Sequence, residues 1–101
     1  MKLTIIRAVS PDGGHVSLRL AGSVDLVSKD LLIDVGREMV ATEPVLALDL
    51  AEVDFIDSVG IGALIELAHA AEAQRKQLVL SALSPRVQRV LDAVGLGEAW
   101  T

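Results

Sequence analysis

Leu46-Ala47-Leu48-Asp49-Leu50-Ala51-Glu52-Val53-Asp54-Phe55-Ile56-Asp57-Ser58-Val59-Gly60-Ile61-Gly62-Ala63-Leu64 is the stretch on which the reading of this chain turns. It opens within an apolar run, Val45 to Leu50, of the kind that forms a strand buried on both faces. A short acidic turn follows. Asp57-Ser58 then stands where an amphipathic helix begins, with Ile61, Leu64, Ile65, Ala68 and Ala71 on its inner side. Gly60 and Gly62 fall in its first turn. A serine at Ser58 is placed to cap the helix through its side-chain oxygen. It is also expected to be exposed, and a phosphate on it would lie at the positive end of the helix dipole.

Working outward, the chain alternates between strand and helix signals. Leu3 to Val9 reads as a strand, and Ser10-Pro11-Asp12-Gly13-Gly14 carries turn chemistry. From His15 to Ala21 the residues alternate, with Val16, Leu18 and Leu20 on one face, so the two strands make a hairpin. Ser28 is a candidate cap for a helix running to about Thr42, with Leu31, Leu32, Val35, Met39 and Val40 inward. Gly36 inside it costs about 1 kcal/mol in propensity, which suggests a close helix–sheet approach. After the helix that follows Ser58 gives way near Gln74-Arg75-Lys76, Leu78 to Ala82 is a fourth strand. Ser84-Pro85 starts a last helix through Val87, Val90, Leu91 and Val94, and Gly95 stops it. The order β-β-α-β-α-β-α describes an α/β domain with a small mixed sheet of four to five strands packed with helices.

Composition bounds the rest. The 101 residues fit one domain, residues 1–101, burying roughly two thirds of the unfolded surface. Half the residues are apolar, yet only Phe55 and Trp100 are aromatic, so the core is built from Leu, Ile, Val and Ala. A net charge of −5 opposes binding to a nucleic-acid backbone, which needs clustered cations. The excess is local too: Asp49, Glu52, Asp54, Asp57 and Glu66 occur with no Lys or Arg between them. Such a run is either a solvated rim or a surface that selects a basic partner. The chain has no cysteine, and its two histidines, His15 and His69, stand alone, so no metal site is expected. Met1 to Arg7 does not resemble a signal peptide, and no apolar run approaches the ~20 residues of a membrane span. A cytoplasmic protein without membrane insertion is expected.

Asp57-Ser58-Val59-Gly60-Ile61-Gly62, preceded by a strand and an acidic turn, resembles the signature of the STAS domain, a family named for sulfate transporters and anti-sigma factor antagonists. Gly22-Ser23-Val24-Asp25 stands where many members read Gly-Glu-x-Asp. Ser84-Pro85-Arg86-Val87 and Val94-Gly95-Leu96 fit the family's last helix, so the match runs from Leu3 to Trp100. The resemblance implies an anti-sigma factor antagonist that is not an enzyme and needs no cofactor. Its partner would be an anti-sigma factor that is also a serine kinase of the GHKL ATPase type. That kinase would phosphorylate Ser58, and a PP2C-type phosphatase would reverse the change. It further implies that Asp25, Asp57, Ser58, Val59, Gly60, Ile61 and Gly62 form the partner-binding surface, with Ser23 departing from the commoner Glu. The alternative within the family is a scaffold or transporter-associated subunit in which Ser58 is only a cap.

Other chemistries fit poorly. A general acid–base pair needs a second titratable group in a pocket with Asp57, and none is evident. Gly60-x-Gly62 lacks the third glycine of a nucleotide loop, since position 65 is Ile. Asp49, Asp54 and Asp57 resemble a phospho-aspartate receiver site, but no acidic pair follows the first strand.

Overall fold

A computed structural model describes residues 2–100. The described residues form β1 (Thr4–Val9), β2 (Val16–Val24), α1 (Lys29–Thr42), β3 (Val45–Ile56), α2 (Ser58–Ala73), β4 (Gln77–Leu83) and α3 (Pro85–Ala93). The strands make one sheet in the order β1-β2-β3-β4. β1 and β2 are the antiparallel hairpin, whereas β2–β3 and β3–β4 are parallel pairs bridged by α1 and α2. Successive crossovers in one direction with the usual hand lay both helices on the same face. Accordingly, Leu32, Met39 and Val40 of α1, Leu64 and Leu67 of α2 and Val87 and Leu91 of α3 join one core with Leu18, Leu20, Leu46, Leu48 and Leu50.

The opposite face of the sheet stays open, and this corrects the expectation for β3. Leu46, Leu48 and Leu50 are fully buried, but Val45, Ala47 and Asp49 between them are exposed or half-buried. The outer face of the run carries Val45, Ala47 and the ion-paired Asp49, and among the described residues no helix covers it. β3 also continues to Ile56, through the residues read as an acidic turn. Its pairing with β2 skips twice, from Asp49 to Glu52 and from Val53 to Phe55, so β3 carries bulges. Each bulge adds a residue to one strand and shifts which side chains point inward. Val53 and Ile56 therefore both reach the core while Glu52, Asp54 and Phe55 face outward.

Two further expectations change. Leu31 is exposed, because the buried stripe of α1 runs Leu32, Gly36, Met39, Val40 and Leu31 lies one step off it. Gly36 marks a close approach to a helix rather than to the sheet: a Cβ there would lie 2.6 Å from Leu67 Cδ2 of α2. The ion pair Arg37–Glu66 at 3.5 Å spans the same α1–α2 seam. The last helix follows the sequence reading. Ser84 Oγ accepts from Val87 N–H at 3.2 Å as the cap, and donates to the Val53 carbonyl at 2.6 Å, tying α3 to β3.

Candidate functional site

Parallel pairing puts the C-terminal ends of β2 and β3 side by side, Ser23 opposite Phe55 and Val24 opposite Ile56. Two segments leave the sheet there: Asp25 to Ser28 leading to α1, and Asp57-Ser58 opening α2. The carboxyl edge of parallel strands is where α/β sheets build their sites. The expected partner-binding residues, Asp25 and Asp57 to Gly62, lie just after these strand ends.

The cap of α2 is Asp57, not Ser58. Asp57 has extended backbone, and its Oδ1 accepts from Gly60 N–H at 2.9 Å, while its carbonyl accepts from Ile61 N–H at 2.9 Å. Aspartate is as good a cap as serine, and in this sequence it comes one residue earlier. Ser58 is consequently the first helical residue. It is exposed, and among the described residues its hydroxyl makes no hydrogen bond. Replacing Asp57 by Ala is expected to cost about 1 kcal/mol of stability, read as a lower thermal midpoint, whereas Asp57→Asn keeps most of it.

The two glycines of the first turn differ in kind. Gly60 is buried, and a Cβ on it would overlap the Val24 carbonyl oxygen and lie 2.8 Å from Ile56 Cγ1. It lets α2 start directly against the end of β2. Gly62 is exposed, with nothing within 4 Å of the place a Cβ would take. Ile61 is buried in the core and Val59 is half-buried. Of the expected partner-binding residues on α2, Ser58 and Gly62 form the open face, four residues apart, and Glu66 and His69 continue it as further exposed positions. Gly60 and Ile61 hold that face in place.

Asp25 organises the neighbouring loop. Its Oδ1 accepts from the N–H groups of Val27 at 3.1 Å and Ser28 at 3.2 Å. Ser28 stands at the start of α1 but its hydroxyl does not cap it. Instead, Ser28 Oγ donates to the Ser23 carbonyl at 2.8 Å and accepts from Asp25 N–H at 3.0 Å. This closed set of bonds presents Leu26 and Val27 to solvent, 66% and 90% exposed. Sequence reasoning passed over these two residues. Their signal was an apolar pair set between two capping residues, where a solvated loop would carry polar side chains.

The acidic rim is smaller than the sequence suggests. Asp49 pairs with Arg19 of β2 at 3.8 Å, and Glu66 pairs with Arg37 of α1 at 3.5 Å. Glu52, Asp54 and Asp57 remain near the strand ends, with no ion pair within 4.0 Å among the described residues. Among those residues no group of three or more His, Asp or Glu is placed to hold a metal ion. No helix is long and apolar enough to cross a membrane.

Comparison with known proteins adds three likenesses and a family. The model of the STAS domain matches residues 7–100. The anti-sigma-B factor antagonist of Listeria monocytogenes is 28% identical over 88 residues, 86% of this chain and 77% of its own. An anti-sigma factor antagonist from Mycobacterium paratuberculosis has a similar fold, with a TM-score of 0.81 at 23% identity, over 98% of this chain and 83% of the other. The anti-sigma factor antagonist SpoIIAA in its unphosphorylated form has a TM-score of 0.77 at 20% identity, over 97% of this chain and 86% of the other.

Proposed function

This chain belongs to the STAS domain family, and from that premise we propose that it is an anti-sigma factor antagonist switched by phosphorylation of Ser58. In the unmodified state it binds an anti-sigma factor that is also a GHKL-type serine kinase, so the sigma factor is freed. The kinase transfers the γ-phosphoryl group of ATP to Ser58 Oγ, releasing ADP and the hydroxyl proton. A PP2C-type phosphatase hydrolyses the ester and restores the serine. The cycle takes place in the cytoplasm.

One observation carries this reading. Because Asp57 does the capping, the Ser58 hydroxyl has no structural duty and stands exposed at the first position of α2. A serine that served only to end the helix would be hydrogen-bonded to it. The surroundings support a partner surface: bare backbone at Gly62, and the apolar pair Leu26-Val27 held out by the Asp25 loop. Asp25 and Asp57 act in that surface mainly by fixing the loop and the helix start. Gly60 and Ile61 act from beneath it.

The test is a pull-down from host lysate with wild-type, Ser58→Ala and Ser58→Glu baits, the captured proteins quantified by mass spectrometry. Capture of an ATP-dependent anti-sigma kinase by wild type and Ala, but not by Glu, is the expected result. Equal capture of some other protein by all three baits would make the domain a constitutive scaffold and refute the switch.

A further inference from the structure

The two edges of the sheet are finished differently. On β4, Leu80 N–H donates to the Trp100 carbonyl at 2.8 Å, so backbone from the C-terminal segment covers part of that edge. β1 has β2 on one side and, among the described residues, no strand on the other. Alternate N–H and C=O groups of Thr4–Val9 therefore point away from the sheet, which is a template for another strand. Of the usual protections, β1 keeps only one charge, Arg7. β1 reads Thr-Ile-Ile-Arg-Ala-Val, without proline or lysine, and its register with β2 runs unbroken from Thr4↔Ala21 to Val9↔Val16, without a bulge. Ile6 is 56% and Val9 58% exposed. The one charge, Arg7, is paired with Glu43 of its own chain at 3.9 Å.

We propose that β1 is a self-association edge, along which a second copy of this chain pairs antiparallel about a two-fold axis through Ile6. The register follows from the sequence. Opposed residues of an antiparallel pair share a face, so the axis must pass through a residue rather than between two. Centred on Arg7, it would set two like charges directly opposite. Centred on Ile6, it sets Ile6 against Ile6 and Thr4 against Ala8 on the open face, and Ile5 against Arg7 on the helix face, with nearly the whole strand paired. Two four-stranded sheets become one of eight. An edge of six residues is about 20 Å long, too short by itself for the ~800 Å² per partner of a permanent complex, so the dimer is weak and concentration-dependent. α2 packs on β3 and β4, away from this edge, which leaves both Ser58 positions open. The inference does not depend on the proposed switch.

The chain has no cysteine, which makes a single thiol a clean probe. Directly opposed Cβ atoms lie about 4.5–5.5 Å apart, close to disulfide reach. Under mild oxidation Ile6→Cys is expected to form a linked dimer roughly tenfold faster than Val94→Cys, whose exposed side chain stands at the end of α3, the helix packed on β3 and β4. Sedimentation of the wild type over a concentration series should show monomer passing to dimer. Ile6→Lys, which sets two charges opposite, should raise the dimer dissociation constant about tenfold or more with unchanged circular dichroism. A wild type that stays monomeric throughout would overturn the proposal. So would a dimer indifferent to Ile6→Lys, or equal crosslinking rates for the two cysteine variants.

Discussion

Ser58→Glu is expected to weaken binding of the anti-sigma partner more than a hundredfold while leaving the fold, and even its stability, intact. Both halves come from the place of Ser58 at the head of α2. In the free protein the side chain is exposed, and the first turn of the helix contains no acidic residue. A negative charge there meets the positive end of the helix and is mildly favourable, by about 0.3–1 kcal/mol. In the proposed complex the same charge would be buried against the partner beside Asp57, with Asp25 on the adjoining loop. A true phosphate adds about −1.5 to −2 charges. A penalty of ~3 kcal/mol for desolvating it unpaired already exceeds a hundredfold in affinity, since each 1.4 kcal/mol is tenfold. Titration calorimetry on the purified pair, together with thermal melts of the free variants, checks both halves. Affinities equal for wild type, Ser58→Ala and Ser58→Glu would refute the switch. A collapse in the melting temperature of Ser58→Glu would refute the placement of Ser58 outside the capping bonds.

Gly60→Ala is expected to be the most damaging single methyl in the site, and Gly62→Ala, two residues on, to be stabilising. At Gly60 the new Cβ would overlap the Val24 carbonyl oxygen and crowd Ile56 Cγ1. The first is backbone at the buried end of β2, where Ser23 and Val24 are covered, and cannot rotate away, so α2 must lift off β2. Overpacking of this kind costs about 3 kcal/mol, or roughly 12–24 °C in the melting temperature of a domain this size. At Gly62 the Cβ meets open space, and alanine is favoured over glycine within a helix by about 0.5–1 kcal/mol. Gly62→Ala should therefore melt a few degrees higher yet bind the partner less well, since the methyl stands on the face proposed to meet the partner. Thermal melts of the two variants decide the structural half. Equal behaviour of the two would mean that α2 does not start against β2 as described.

Much of this was legible in the residues themselves. The strand and helix order could be read because period-2 alternation in Val16 to Leu20 and helical spacing in Val87 to Val94 are local patterns. The Ser84-Pro85 start and the Gly95 stop are likewise local and stand where they were read. The motif around Asp57-Ser58 was found for the same reason. Assigning the cap to Ser58 failed because Asp57 and Ser58 are both good caps and adjacent. Choosing between them depends on where β3 ends, and β3 runs to Ile56 only because bulges keep it paired with β2.

By itself the sequence determined the class of fold, the element order, the single core of aliphatic side chains, and the segment proposed as the site. These depend on periodicity and turn chemistry, which act between residues a few positions apart. Tertiary structure alone decided the rest. It left one face of the sheet open, assigned Gly60 to packing and Gly62 to the surface, and pushed Leu26 and Val27 into solvent. It also paired Asp49 and Glu66 with arginines from other elements, and freed the Ser58 hydroxyl by giving the cap to its neighbour. Each of these outcomes depends on which distant backbone or side chain comes to lie against the residue, and no local pattern encodes that neighbour.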